Sequence, residues 1–358
     1  MNGDASSSDL THVLIADDSA FMRTALTRMI ESDPHLRVVG TAQNGLELLA
    51  KIPALNPDVI TLDIEMPRLN GLETLKRIMS ESPRPVIMVS SLTQEGADAT
   101  LEALALGAFD YVPKQLSYAS LDIVKIREDL VAKIKAAADS RRRKPMARVV
   151  ARANSTPATL YRGAPSIIAM GTSTGGPRAL QEILPMLPAD LPVGVVIVQH
   201  MPRGFTGPFA NRLNGLCQVS VREAKHGDLV EPGIVLIAPA GQQLTVSKRT
   251  PLQGIVYLGS QPDNTPHIPS VDVMMSSVAD SFGSLSMGII MTGMGSDGCD
   301  GMKAIASKSG ITVGQDEATC TVYGMPKSCA DAGSLQRVVP LREIPAQILQ
   351  ALRYRKRA

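Results

Sequence analysis

The sequence predicts two α/β units, each built around a doubly wound parallel sheet. Short β-branched runs alternate with helix-length segments in both halves of the chain. The 358 residues suit about two domains of roughly 150 residues each. Hydrophobic residues make up 44% and charged residues 20% of the chain, so each half can bury a core. That composition excludes a disordered or collagen-like chain.

The first half, residues 11–130, is predicted to contain five βα repeats. Strand-like runs occupy 12–16, 36–42, 58–62, 85–90 and 110–112, and helical patterns lie near 19–31, 44–53, 71–80, 95–106 and 119–139. Strands that alternate with helices imply a five-stranded parallel sheet covered on both faces.

Residues 131–164 are predicted to hold the end of the last helix and a flexible basic linker. The helical pattern stops at about Ser140, and the following segment is basic and carries Ser, Thr and Pro. The run 141–144 could form a nucleic-acid-binding arm, but we favour a solvated linker. The basic tail, 351–358, receives the same interpretation.

The second half, residues 165–350, begins with a run typical of a buried strand. Further apolar runs follow, and the full set of predicted strands is 166–171, 193–198, 234–238 and 288–293. The stretch 242–259 is predicted to form an antiparallel hairpin on the side of the sheet.

Charge and composition exclude several classes of protein. The net charge is +2, aromatic residues make up 3%, and Trp is absent, so we expect no nucleic-acid partner. The four cysteines show no C-x-x-C spacing, which predicts neither zinc nor disulfides. The N-terminus has no apolar signal region and the apolar runs have only strand length, so we expect a cytoplasmic protein without membrane insertion.

Polar and charged side chains lie at the carboxyl ends of four strands of the first predicted sheet. Asp17 and Asp18 follow the first strand, Asp63 follows the third, Ser90 ends the fourth and Lys114 follows the fifth. Acids after strands are often helix N-caps, but carboxylates that converge at one sheet edge indicate a Mg²⁺ site. Lys114 would add a point charge for a phosphoryl oxygen.

These motifs resemble the receiver domain of bacterial response regulators, and the matching segments are LIADDSAFMR, LDIEMPRLNGLETL, IMVSSLT and GAFDYVPK. The resemblance implies that Asp63 is the phosphoacceptor. It also implies Mg²⁺ bound by Asp18, Asp63 and the backbone carbonyl of Glu65, with Asp17 acting through water.

The resemblance further implies that Ser90 and Tyr111 are the hydroxyl and aromatic switch residues, acting with Lys114. Gln115 stands where the family commonly has Pro. Because a cis non-proline bond costs about 2.5–4 kcal/mol, we expect a trans bond after Lys114.

Three further residues follow apolar strands of the second half. Ser173 lies in a G-x-S-x-G turn, His200 follows the next strand, and Asp297 lies in a Gly-rich loop. Each has an ordinary alternative, respectively a phosphate-binding turn, a structural histidine and a turn aspartate. Together at one sheet edge they predict a nucleophile, a base and an orienting acid. The chain order Ser, His, Asp excludes the α/β-hydrolase superfamily.

The second half resembles the catalytic domain of the chemotaxis protein-glutamate methylesterases, the CheB family, in the segments GTSTGGPRAL, QHMPRGFT, VDVMMSSVA and MTGMGSDG. The resemblance implies a Ser173, His200, Asp297 triad, with Thr174 and the Met294 backbone near the oxyanion. The segment 267–270 is similar to the family's substrate-cleft segment.

The resemblance also implies an activity and partners. The family hydrolyses γ-glutamyl methyl esters on methyl-accepting chemoreceptors and deamidates receptor glutamines, without a cofactor for ester hydrolysis. A histidine kinase would supply the phosphoryl group, and we expect a monomer. A DNA-binding response regulator would instead carry a short helical output module. A non-catalytic, phosphorylation-gated receptor adaptor is the remaining alternative.

Overall fold

The computed structural model describes residues 10–91, 93–114, 120–142, 163–250 and 253–354. The chain divides into two units, Met1–Pro145 and Met146–Ala358. Gln115, most of the predicted linker and the last four residues lie outside the described residues, so the predictions made for them stay predictions. Among the described helices, none is both long and apolar enough to cross a membrane.

The first unit alternates strands with helices, as predicted. Its elements are β1 (Thr11–Ala16), α1 (Ala20–Ile30), β2 (Leu36–Ala42), α2 (Gly45–Leu55), β3 (Val59–Asp63), α3 (Gly71–Glu81), β4 (Val86–Ser90), α4 (Gln94–Ala105), β5 (Asp110–Pro113) and α5 (Ser120–Arg142). The strands form a parallel sheet in the order β2-β1-β3-β4-β5. Strand order therefore reverses beside β1, and the carboxyl ends of β1 and β3 flank the crevice where ligands of such sheets bind.

Helix α5 extends further than the sequence pattern indicated. Arg141 and Arg142, interpreted above as the start of the linker, form its last turn. Arg141 Nη1 donates to the carbonyl oxygen of Pro57 at 2.5 Å and lies 3.5 Å from Asp58 Oδ1. Basic side chains are favourable at a helix C-terminus, and this one also binds a loop of its own unit.

The second unit contains a larger parallel sheet and a small antiparallel one. Its elements are β6 (Ile167–Thr172), α6 (Gly176–Ile183), β7 (Gly194–Gln199), α7 (Thr206–Leu216), β8 (Ser220–Glu223), β9 (Leu229–Val230), β10 (Ile234–Ile237), β11 (Gln243–Thr250), β12 (Gln253–Gly259), α8 (Val271–Phe282), β13 (Ser286–Ile290), α9 (Cys299–Ser307), β14 (Ile311–Gln315), α10 (Met325–Asp331), β15 (Arg337–Val339) and α11 (Ile344–Ala351). Single 3₁₀ turns occupy Leu184–Met186, Gly283–Leu285 and Leu341–Glu343.

The parallel sheet runs in the order β15-β14-β13-β6-β7-β10-β8. The predicted hairpin pairs β11 with β12, and β12 also pairs with β9, so the hairpin belongs to a second sheet. Every residue of β6, β7 and β13 is buried. Strands covered on both faces read as continuous apolar runs, which is why these three were found from sequence.

The strand predicted at 288–293 is shifted. In the structure β13 ends at Ile290, and the residues after it bond to the end of β14 and to the turn after β6. Thr292 N donates to Gln315 Oε1 at 2.8 Å, and Thr292 Oγ1 donates to the Thr174 carbonyl at 2.9 Å. These bonds fix the start of the loop that carries Asp297.

Candidate active site and phosphorylation site

The three candidate catalytic residues lie at the carboxyl ends of adjacent strands. Ser173 follows β6 and His200 follows β7, while Asp297 lies in the loop between β13 and α9. Because β6 lies between β13 and β7 in the sheet, Ser173 projects from the central position. The backbone confirms this neighbourhood, since His200 N donates to the Thr172 carbonyl at 3.2 Å.

His200 and Asp297 are already paired. His200 Nε2 lies 2.8 Å from Asp297 Oδ2. The other ring nitrogen, Nδ1, is buried and has no hydrogen-bond partner in the described parts of the chain. No hydrogen bond within those parts joins Ser173 Oγ to His200, and such catalytic contacts often tighten only when substrate binds. Nδ1 is therefore the nitrogen left to receive a proton.

Asp297 accepts three further hydrogen bonds from the start of α8. Ser270 Oγ donates to Oδ1 at 2.8 Å, Asp272 N donates to Oδ1 at 3.0 Å, and Val271 N donates to Oδ2 at 2.8 Å. Burial favours the neutral acid, but the hydrogen bond and charge of His200, with these amides, hold the pKa of Asp297 below its ordinary value. The carboxylate is thus fixed in position and ionised.

Gln199 is a site residue that the sequence reasoning missed. Its side chain is only 2% exposed, and Nε2 donates to the carbonyls of Ser173 at 3.0 Å and His200 at 2.9 Å. One amide therefore links the backbones of the candidate nucleophile Ser173 and the candidate base His200. Its position directly before His200, at the end of a buried strand, was the only available signal.

His267 also reaches the site. Its ring stacks on the His200 ring, with centroids 4.0 Å apart and an interplanar angle of 20°. The segment that carries it is tied to β11, because Ser270 N donates to Gln243 Oε1 at 2.8 Å. The predicted cleft segment 267–270 therefore contacts both His200, through His267, and Asp297, through Ser270.

Two backbone amides are candidates for the oxyanion site. Thr174 N and Met294 N donate to no acceptor within the described residues, whereas Ser173 N is already bonded to the Thr292 carbonyl at 3.0 Å. A Cβ on Gly293 would lie 2.9 Å from Ser173 Cβ, so only glycine lets the loop before Met294 approach Ser173 this closely. Free amides near a nucleophile suit a developing negative charge.

The first unit brings its three acids together. Ligand oxygens of Asp17, Asp18 and Asp63 all lie within 4.8 Å of one another. Lys114 Nζ lies 2.6 Å from Asp63 Oδ2 and 3.4 Å from Asp17 Oδ2. Burial raises the pKa of Asp63 to about 6, although Lys114 opposes the shift. Asp17 Oδ2 is buried with this ion pair to Lys114, and three acids gathered this closely fit a site built for a cation.

The remaining receiver residues lie around this cluster. Glu65 is exposed, and its N–H donates to Asp63 Oδ1 at 3.2 Å. Ser90 Oγ accepts from Thr100 Oγ1 at 2.7 Å and lies 3.2 Å from the Gly96 carbonyl, so its hydroxyl bonds to α4 and not to the acids. Tyr111 is buried with Lys133 Nζ 5.4 Å from its ring centroid.

Both halves of the chain match family models. The CheB methylesterase model matches residues 168–348, and the response regulator receiver model matches residues 13–124. A protein-glutamate methylesterase/protein-glutamine glutaminase from Nitratidesulfovibrio vulgaris is 48% identical over 95% of this chain and 99% of its own length. A relative of the same name from Lawsonia intracellularis is 45% identical over 96% of this chain and 99% of its own length.

A solved structure also resembles the second half of the chain. The CheB methylesterase catalytic domain of Thermotoga maritima is 36% identical, with a TM-score of 0.50, over 52% of this chain and 99% of that one. The matches to the two curated relatives, at 45–48% identity, extend over nearly the whole chain and include both units. The chain therefore belongs to the CheB family of protein-glutamate methylesterases/protein-glutamine glutaminases, with a response regulator receiver domain at its N-terminal side.

Proposed function

We propose that Ser173, His200 and Asp297 are the catalytic triad of a phosphorylation-activated hydrolase. Its substrates are glutamate γ-methyl esters and certain glutamine amides on methyl-accepting chemoreceptors, as family membership supports. The observation that carries the proposal is the 2.8 Å His200–Asp297 bond beside a serine on the intervening strand. Simple binding needs no such trio, which disfavours the adaptor alternative.

Hydrolysis begins with attack by Ser173 Oγ on the side-chain carbonyl carbon. His200 Nδ1 takes the serine proton, and Asp297 stabilises the resulting imidazolium through Nε2. The amides of Thr174 and Met294 stabilise the oxyanion. His200 then gives the proton to the departing methoxide, which releases methanol and leaves an acyl-enzyme on Ser173.

Water completes the cycle. His200 removes a proton from water as it attacks the acyl carbon, and the proton returns to Ser173 Oγ when glutamate leaves. A glutamine amide follows the same route with ammonia as the leaving group. A single site can therefore support both the esterase and the deamidase activity.

In the receiver domain, Asp63 is the proposed phosphoacceptor and a histidine kinase the proposed phosphodonor. Mg²⁺, held by Asp18, Asp63 and the Glu65 carbonyl with Asp17 through water, would neutralise charge on the phosphoryl group. The close clustering of Asp17, Asp18 and Asp63 supports this ligand set. Lys114 would bind a phosphoryl oxygen, and Ser90 and Tyr111 would respond as the switch pair.

The proposed domain limits are 11–130 for the receiver and 165–350 for the esterase, separated by the segment 131–164 and followed by the tail 351–358. We place the protein in the cytoplasm as a monomer. Family membership supports an arrangement in which the receiver regulates the esterase within one chain.

Methanol release from a methylated chemoreceptor preparation tests the proposed chemistry. We expect Ser173→Ala to abolish release and Ser296→Ala, a change at an exposed serine near Asp297, to leave it unchanged. Receptor binding that survives in Ser173→Ala, alongside no release by the wild-type protein, would instead support the adaptor.

A further inference from the structure

Helices α8 and α9 begin side by side. At the start of each helix, backbone N–H groups donate to a carboxylate that lies at the start of the other helix. Asp297, just before α9, accepts from Val271 N and Asp272 N in the first turn of α8. In return, Asp272 Oδ1 accepts from Gly301 N in the first turn of α9 at 2.7 Å. The two helix starts are therefore joined reciprocally.

Helix α9 has no side-chain cap of its own. Its N-cap residue is Gly298, with φ of 97°, and no side-chain cap hydrogen bond is made. The first amides of a helix need acceptors from outside the helix. Asp300, also in the first turn, is exposed and pairs with Lys303 at 2.8 Å. Asp272 is thus the side chain that binds an orphan amide of α9.

Close packing makes this contact specific. A Cβ on Gly301 would lie 2.6 Å from Met275 Cβ and 3.2 Å from Asp272 Cα, so the helices approach as closely as a glycine allows. Burial and the neighbouring charge of Asp297, opposed by the Gly301 bond, raise the pKa of Asp272 to about 6. A second carboxylate is therefore held beside Asp297 despite an unfavourable environment, which is typical of functional sites.

We propose that Asp272 is a positioning residue for the triad, which fixes the loop bearing Asp297 by capping α9 from α8. The inference rests on the proposed triad. Gly301 lies one turn beyond Asp297, so release of the first turn of α9 would let the carboxylate move relative to His200. Small displacements of a reacting group cost large factors in rate.

Substitutions at Asp272 test the proposal in the full chain with phosphodonor and Mg²⁺. D272A removes the acceptor, D272E keeps the charge but moves the acceptor, and D272N keeps an oxygen in place. We expect kcat for methanol release to fall about ten- to hundredfold in D272A and D272E with KM nearly unchanged. D272N should restore most of kcat, and D300A, the matched control, should behave as wild type.

Hydrogen exchange at the Gly301 amide gives a readout that does not depend on the chemistry. Exchange should quicken in D272A and D272E and stay slow in D272N and D300A. Wild-type kcat in D272A, unchanged Gly301 exchange in D272A, or a D272N variant as impaired as D272A would each overturn the inference. Methanol release that persists in Ser173→Ala would refute the proposed triad instead, while the exchange data would still decide the cap.

Discussion

Asp63 should make the receiver domain less stable at neutral pH than a neutral residue would. Burial raises the pKa of Asp63 from 3.8 to about 6, which corresponds to about 3 kcal/mol in favour of the neutral form. Because the folded-state pKa is raised, the stability that the neutral, protonated Asp63 provides is fully present below pH 3.8. This stability is lost as the pH rises through about 6, where the buried carboxyl becomes charged. The free energy of unfolding of Asp63→Asn should therefore exceed that of wild type by about 3 kcal/mol above pH 7 and by about half as much at pH 5.

Urea unfolding followed by far-UV circular dichroism, in the presence of EDTA, measures this difference. The receiver transition can be assigned because added Mg²⁺ should stabilise it in wild type, by about 2.7 kcal/mol at a hundredfold excess over Kd. Asp98→Asn, a change at an exposed carboxylate of α4, is the matched control. Its free energy of unfolding should not differ from that of wild type by a comparable amount.

A constant stability difference between wild type and Asp63→Asn from pH 5 to pH 8 would refute the reasoning. It would mean that Asp63 does not titrate in this range in the folded protein. A less stable Asp63→Asn variant at pH 8 would show that the Lys114–Asp63 bond outweighs the burial of the carboxylate.

Two substitutions in the esterase domain follow from the same structure. Gln199→Leu should lower kcat for methanol release by about tenfold or more, because the carbonyls of Ser173 and His200 lose their shared donor; steady-state kinetics with unchanged kcat would contradict this role. Asp297→Asn should lower kcat by about 10⁴, since it removes the charge that stabilises the His200 imidazolium. A loss of less than about tenfold in Asp297→Asn, measured by the same assay, would exclude Asp297 as the orienting acid.

Much of the fold was predictable because its central strands are buried on both faces. Continuous apolar runs identified β6, β7 and β10, and their alternation with helices indicated parallel sheets. Strands β8, β9, β14 and β15 were missed. These strands are short, polar or contain glycine. They are recognisable as strands only from their pairing with other strands that lie far away in the sequence.

The candidate site was partly predictable for a similar reason. Residues that directly follow strands, such as Ser173 and His200, are positioned by the sheet, so their convergence follows from topology. The partners of Asp297 could not be read from sequence, because Ser270 and Asp272 approach it through the packing of α8 on α9. The Gln199 amide likewise gains its role only when two strand ends lie side by side.

The most direct test of the account joins its two halves in one assay. Methanol release from methylated chemoreceptor should be measured for wild type and Asp63→Asn, with and without a small-molecule phosphodonor and Mg²⁺. We predict that phosphodonor raises release several-fold in wild type and has no effect in Asp63→Asn, while Ser173→Ala is inactive in both conditions. Equal stimulation of wild type and Asp63→Asn would contradict the claim that phosphorylation of Asp63 controls the Ser173 esterase.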